Sequence, residues 1–259
     1  MRTIYIIVVW LTSVAFAMDF PGEFVQNPGG TLALSGLPGY KSSPARYFDD
    51  STSGAFGVAY ARVPEADLQV AGAAGELALW RDYRLAFFSS YLEMDSLYRQ
   101  VYSEWNFSLA KSWLVGGVGY GLSVDWVSGG EISRENWTTN RYKAGLAFLK
   151  SPLSLSALTT LVNHRSFYDL DYAVAFRFQG KRFGAFVEYD GNSIDIGHSL
   201  NFAHAIVLSS YRFPEFAVSV SLGFTFGGWA FSGAYGNART IWDWFGFTAT
   251  KSVRKKTIL

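Results

Sequence analysis

The side chains able to do chemistry are few: the chain holds three His and no Cys. His164 and Ser166 stand two apart, hence on one face of an extended strand. A hydroxyl beside an imidazole base is the minimum for acyl transfer, which makes the pair a candidate nucleophile and base. The simpler reading is a polar loop end before Tyr168, and no enzymatic activity is expected. Asp169 with Asp171, Arg141 with Lys143, and Glu188 with Asp190 each share a strand face. Paired carboxylates could hold Ca²⁺ or move protons, but opposite charges on one inward-facing wall are expected to form ion pairs. With Asp125 and Arg177 these six residues are the candidate lining of an interior. His198 and His204 lack the carboxylate spacing of a metal site. Gly116, Gly117, Gly119 and Gly121 are followed by no helix, so they do not form a phosphate-binding loop. No metal or cofactor is expected.

These residues sit on segments of unbroken period two. From 118 to 126 the bulky residues are Val118, Tyr120, Leu122, Val124 and Trp126, against Gly119, Gly121, Ser123 and Asp125. From 168 to 178 Tyr168, Leu170, Tyr172, Val174, Phe176 and Phe178 oppose Asp169, Asp171, Ala173, Ala175 and Arg177. The same pattern runs through 101–109, 142–148 and 216–226, and more weakly through 53–63, 67–79, 83–93, 153–163, 182–191, 199–209, 228–237 and 240–250. Strands this long exceed those of ordinary globular sheets and match the span of a tilted transmembrane strand. In lipid only a closed barrel leaves no strand edge unsatisfied. Trp80, Trp113, Trp126, Trp137, Trp229 and Trp244 fall near strand ends, as in an aromatic girdle. The expected fold is therefore all-β, a transmembrane antiparallel up-and-down β-barrel. Thirteen segments do not make an even wall. Twelve strands are expected, with 128–140 and 191–198 as longer loops; fourteen is the alternative, with Thr31 to Leu37 entering the wall.

The ends differ from the wall. Met1 to Ala17 has Arg2, an apolar run from Ile4 to Leu11 and a small-x-small site at Ala15-Phe16-Ala17, the pattern of a secretory signal peptide cleaved after Ala17. Residues 18–52 are rich in Pro and Gly and are expected to be an N-terminal plug or a periplasmic lead-in. Residues 53–250 are expected to form the barrel. Residues 251–259, with Lys251, Arg254, Lys255 and Lys256, are expected as a basic tail. Asn27-Pro28-Gly29 resembles the Asn-Pro-Ala element of the long-chain fatty-acid transporter family and of the PorV-like barrels. That resemblance implies a fourteen-stranded relative with an N-terminal segment in the lumen. The His-x-Ser pair is similar to that of outer-membrane phospholipase A and the lipid A deacylases, although Phe167 follows where those families carry Asn.

Composition sets the remaining limits. The chain of 259 residues is 49% hydrophobic and 17% charged, with 22 Phe, 15 Tyr and 9 Trp at net charge +1. A disordered chain lacks such aromatics, and a nucleic-acid partner calls for a basic footprint. The expected location is the outer membrane of a Gram-negative-type bacterium, in contact with its lipid. A passive channel or transporter for small or hydrophobic solutes is the first expectation. A structural or secretion-accessory barrel anchoring a periplasmic or secretion partner is the alternative, and an acyl hydrolase using His164 and Ser166 the second.

Overall fold

The computed structural model describes residues 44–45, 52–80, 82–95, 97–129, 132–163, 167–214, 216–238 and 243–254. Fourteen strands follow in chain order: β1 Thr52–Val63, β2 Leu68–Ala78, β3 Tyr83–Met94, β4 Tyr98–Lys111, β5 Leu114–Gly129, β6 Ile132–Lys150, β7 Leu153–Asn163, β8 Tyr168–Gln179, β9 Phe183–Tyr189, β10 Ile194–Asn201, β11 Ala205–Phe213, β12 Ala217–Phe226, β13 Trp229–Ala238 and β14 Asp243–Arg254. Each pairs antiparallel with its sequence neighbours, and β1 closes on β14 in a continuous register from Gly54↔Val253 to Arg62↔Phe245. A wall so closed has no free edge to satisfy, which is the condition for strands in hydrocarbon.

The count is fourteen, not the expected twelve. Fourteen is the alternative count: all thirteen segments are strands, and the fourteenth comes from the segment 199–209, which is two strands folded at Phe202–His204, where the Phe202 amide donates to the Ala205 carbonyl at 2.7 Å. The bulky face switches phase across that turn, from Ile194, Ile196 and Leu200 to Val207, Tyr211 and Phe213. Phe-Ala-His carries none of the Gly, Pro, Asn or Asp that ordinarily mark turns, so the break was hidden. The expected loop 191–198 holds most of β10 behind a tight turn at Asp190–Ser193. Likewise the expected loop 128–140 is mostly paired wall, with Val127↔Glu135 and, past a register shift, Gly129↔Ile132. Thr31 to Leu37 lies outside the described residues. β14 runs to Arg254, so Lys251 and Arg254 belong to the wall rather than to a tail.

The two faces divide as the alternation requires. Val118 is 60% and Val174 42% exposed, whereas Ser123 is fully buried and Ala175 only 4% exposed. Among the described residues no second sheet covers the bulky face. Aromatic pairs stand at the rims, including Trp80 against Tyr83, Trp113 against Phe148 and Trp229 against Phe231 at the end where β1 starts, while Phe87 with Trp105 and Tyr120 with Tyr142 lie within the wall. At the other rim Tyr211, Phe213 and Phe216 meet. Trp137 and Trp244 depart from the expected girdle. Their positions on β6 and β14 point inward, and they pack on the buried cluster of Val63, Leu68, Leu92, Met94 and Tyr98.

Lipid contact at the centre of β8 yields a direct prediction. Replacing Val174 by Arg is expected to cost about 2–4 kcal/mol in reversible unfolding from bilayers. A water-solvated Val174 would tolerate the change within about 0.5 kcal/mol.

Candidate functional site

The interior side chains of β4, β5 and β6 build one connected polar cluster. Strand alternation turns Tyr98, Gln100, Tyr102, Glu104 and Asn106 inward from β4, Gly119, Gly121, Ser123 and Asp125 from β5, and Thr139, Arg141 and Lys143 from β6. The register sets Asn106, Gly119 and Lys143 in one row and Glu104, Gly121 and Arg141 in the next. The glycines carry the geometry. A Cβ on Gly121 would stand 2.4 Å from the Tyr102 hydroxyl, and one on Gly119 would stand 2.2 Å from Asn106 Oδ1. With nothing there, Lys143 reaches across β5 to Glu104, Nζ to Oε2 at 2.6 Å, and both side chains are completely buried. Tyr102 donates to the same oxygen, and Asn106 Nδ2 donates to Oε1 at 2.5 Å.

Asp125 anchors the second half of the cluster. Its Oδ1 accepts from the Tyr98 hydroxyl and from Gln100 Nε2, each at 2.5 Å, and its Oδ2 accepts from Ser123 Oγ at 3.1 Å. Arg141 links the halves: Nη1 donates to Ser123 Oγ at 3.1 Å, and the guanidinium carbon lies 5.5 Å from the centre of the Tyr102 ring. A buried charge is retained only where partners compensate it: Glu104 is paired with Lys143, and Asp125 is held by three hydrogen bonds.

The wall from β8 through β14 is built differently. Arg212 grips Asp195 with two parallel bonds of 2.8 and 2.7 Å, and Glu188 faces Asp195 across the β9–β10 register. Arg177, Glu188 and the buried Phe186 and Leu208 also face inward on β8, β9 and β11, and from β12 onward the inner face becomes mainly small and hydroxylated. Ser210 bonds Ser219 at 2.7 Å, Ser232 bonds Thr248 at 2.6 Å, and Gly197, Gly223 and Ala234 fill the intervening positions. At the end where β1 starts, Pro44 and Ala45 also lie on the inner wall. Ala45 is fully buried with Val115 and Ala147, and a Cβ on Gly117 would stand 2.3 Å from the Pro44 carbonyl oxygen.

The candidate residues are thus distributed as follows. Asp125, Arg141 and Lys143 join one buried cluster. Glu188 is buried on the far wall, and Arg177 is bonded to Gln179 at 3.0 Å through Nε. Asp190 folds back on its own turn, accepting from the Ser193 amide at 2.7 Å and its hydroxyl at 2.8 Å. Asp169 and Asp171 are exposed at the β7–β8 rim, and Asp169 accepts from the Leu170 amide. His164 and Ser166 lie outside the described residues. His198 is on the outer face, within 3.1 Å of Ser209 Oγ and stacked on Phe183, and His204 sits in the β10–β11 turn. Among the described residues no His, Asp or Glu group of three or more is arranged to hold a metal ion. Glu104, Tyr102, Tyr98, Gln100, Asn106, Asp195 and Arg212 were not among the expected lining. The inward phase of Tyr102, Glu104 and Asn106 is visible in the sequence, and what hid them was the cross-strand register that brings Glu104 opposite Gly121 and within reach of Lys143; Asp195 fell in the expected loop 191–198 and Arg212 beyond the expected strand 199–209.

A closed fourteen-stranded wall with an apolar outside and a polar inside defines the class as a transmembrane β-barrel. Among solved structures the chain is similar to the deltaS2S3 mutant of the monoaromatic hydrocarbon channel TodX, at TM-score 0.57 and 11% identity over 89% of this chain and 98% of that one. It also matches the KdgM porin, at TM-score 0.47 and 11% identity over 77% and 99% of the two chains. A triple mutant of Rh. blastica porin matches at TM-score 0.42 and 9% identity over 77% and 98%. The first of these shows the barrel fold. No known family model matches the chain, and neither does any curated protein in sequence.

The buried pair makes a second prediction. Glu104→Ala, which strands the Lys143 ammonium, is expected to lower unfolding stability by about 3–5 kcal/mol. The double change Glu104→Leu with Lys143→Met is expected to recover most of that loss when both variants are unfolded by urea titration.

Proposed function

We propose that the protein is a passive outer-membrane channel for small solutes and that it favours uncharged ones. The observation that carries this reading is the asymmetry of the inner wall. The charges on β4 to β6 lie within one hydrogen-bonded network, while the inner face of β12 to β14, apart from Trp244, is lined by serine and threonine hydroxyls beside glycine and alanine. A path along that second wall offers hydrogen-bond exchange without fixed unpaired charge. A barrel of this strand number is also wider than the eight-stranded kind that its own side chains fill. The fold likeness to a hydrocarbon channel supports a conduit, and the solute printed in that protein's description belongs to it alone. Export by the Met1–Ala17 leader, an outer-membrane location and contact with its lipid are parts of the same proposal. The accessory-barrel and acyl-hydrolase readings gain no supporting observation among the described residues.

Swelling of liposomes containing the purified full chain tests the proposal. A small neutral solute such as glycerol is expected to enter faster than into protein-free liposomes. Ser219→Trp, which fills the hydroxyl wall, is expected to slow entry. Swelling no faster than in protein-free liposomes overturns the channel reading.

A further inference from the structure

The outer face of the barrel is not evenly ridged. Two apolar grooves flank the β1–β14 seam. One, of about 400 Å³, runs between Phe56, Leu77, Phe87 and Trp105 over a floor that includes Gly75. The other, of about 550 Å³, runs between Tyr60, Phe224, Phe231 and Phe247 over Gly233 and Ala249. Both volumes fall within the range of sites that take whole small-molecule ligands, about 300–1,000 Å³.

The floor glycines are not demanded by the backbone. Neither Gly75 nor Gly233 has a positive φ. A Cβ on Gly75 would come no closer than 3.9 Å to the Ala55 carbonyl oxygen, and one on Gly233 no closer than 3.6 Å to the Phe247 ring. Glycine weakens a strand interior, and a Cβ has room at both places. What these positions contribute is the missing side chain itself, and therefore the groove.

Between the grooves stands a single cation in an aromatic frame. Lys251 is the direct cross-strand neighbour of both Phe56 and Trp229. The Phe56 and Trp229 rings meet edge to face with centres 6.2 Å apart, and Lys251 Nζ lies 5.1 Å from the centre of the Trp229 ring. The ammonium donates to the Gly227 carbonyl at 2.8 Å, in the β12–β13 turn at the rim of the wall. Three N–H donors are available to an ammonium, and that bond uses one. Among the described residues no carboxylate pairs with Lys251. A lysine rooted in an apolar belt carries its charge to the headgroup level, where an anionic group is its natural counter-ion.

We propose that the β1–β14 seam is a binding site for a diacyl phospholipid with an anionic headgroup. The phosphate sits against Lys251, and one acyl chain lies in each groove, on either side of the Phe56–Trp229 ridge. The leaflet is the one facing the end at which β14 leaves the wall. The site rests on the reading of the barrel as membrane-embedded and is independent of whether its lumen conducts.

The full chain is reconstituted in vesicles of equal phosphatidylglycerol and phosphatidylcholine, recovered in mild detergent, and its retained lipid counted by native mass spectrometry. The unaltered protein is expected to retain phosphatidylglycerol over phosphatidylcholine. Lys251→Ala is expected to lower that preference about fivefold, and Lys251→Arg to keep it. Gly75→Leu and Gly233→Leu, which place side-chain bulk in the grooves, are expected to lower total retained lipid of both kinds. Equal retention of the two lipids by the unaltered protein, or an unchanged preference in Lys251→Ala, overturns the proposal. A chain that fails to float with the vesicles overturns it together with the channel reading, whereas a barrel that binds the lipid without swelling activity overturns the channel reading alone.

Discussion

Everything in this molecule follows from the need to satisfy backbone polar groups where water is absent. An N–H or C=O left unpaired in hydrocarbon costs several kcal/mol, and a sheet with edges leaves a row of them. Pairing of β1 with β14 removes the edges. Closure then assigns every alternate side chain to lipid and the rest to an interior, and it lets a chain so rich in Phe, Tyr and Trp place its rings outside.

The inversion changes what holds the inside together. In place of an apolar core there are small clusters, such as Leu158, Ala173, Ala175, Phe186 and Leu208, and buried polar networks. The networks depend on residues that are absent as much as on those present. Gly119 and Gly121 remove two side chains from β5, and through that gap Glu104 and Lys143 meet across three strands. On the outer face Gly75 and Gly233 do the opposite job, cutting grooves into a surface that is elsewhere bulky. A glycine in this wall is thus read by which face it empties.

Much of the architecture was legible in the sequence because the signal is local. Val118 to Trp126 and Tyr168 to Phe178 show their period without knowledge of any partner strand, and they lie in the wall as β5 and β8. What was not legible depends on turns and register. The hairpin at Phe202–His204 has no turn residues, so two strands read as one and the count fell short. Trp137 and Trp244 lie near strand ends, as girdle residues do, yet strand phase turns them inward. The candidate lining was half visible: Arg141 and Lys143 share a face by spacing alone, but Glu104, their counterpart across Gly121, is brought to them only by a pairing that no local pattern encodes. Asp169 and Asp171 share a face as expected and sit at the rim, away from the cluster.

The central claim is that the bulky face of each strand meets lipid. The absence of native cysteine allows single-cysteine variants from Ala217 to Phe226 to be spin-labelled one at a time in vesicles. Collision with oxygen, which concentrates in hydrocarbon, is predicted to be high at Val218, Val220, Leu222 and Phe224 and low at Ala217, Ser219, Ser221 and Gly223. A flat profile, or high collision with a water-soluble nickel complex at the bulky positions, would contradict the account.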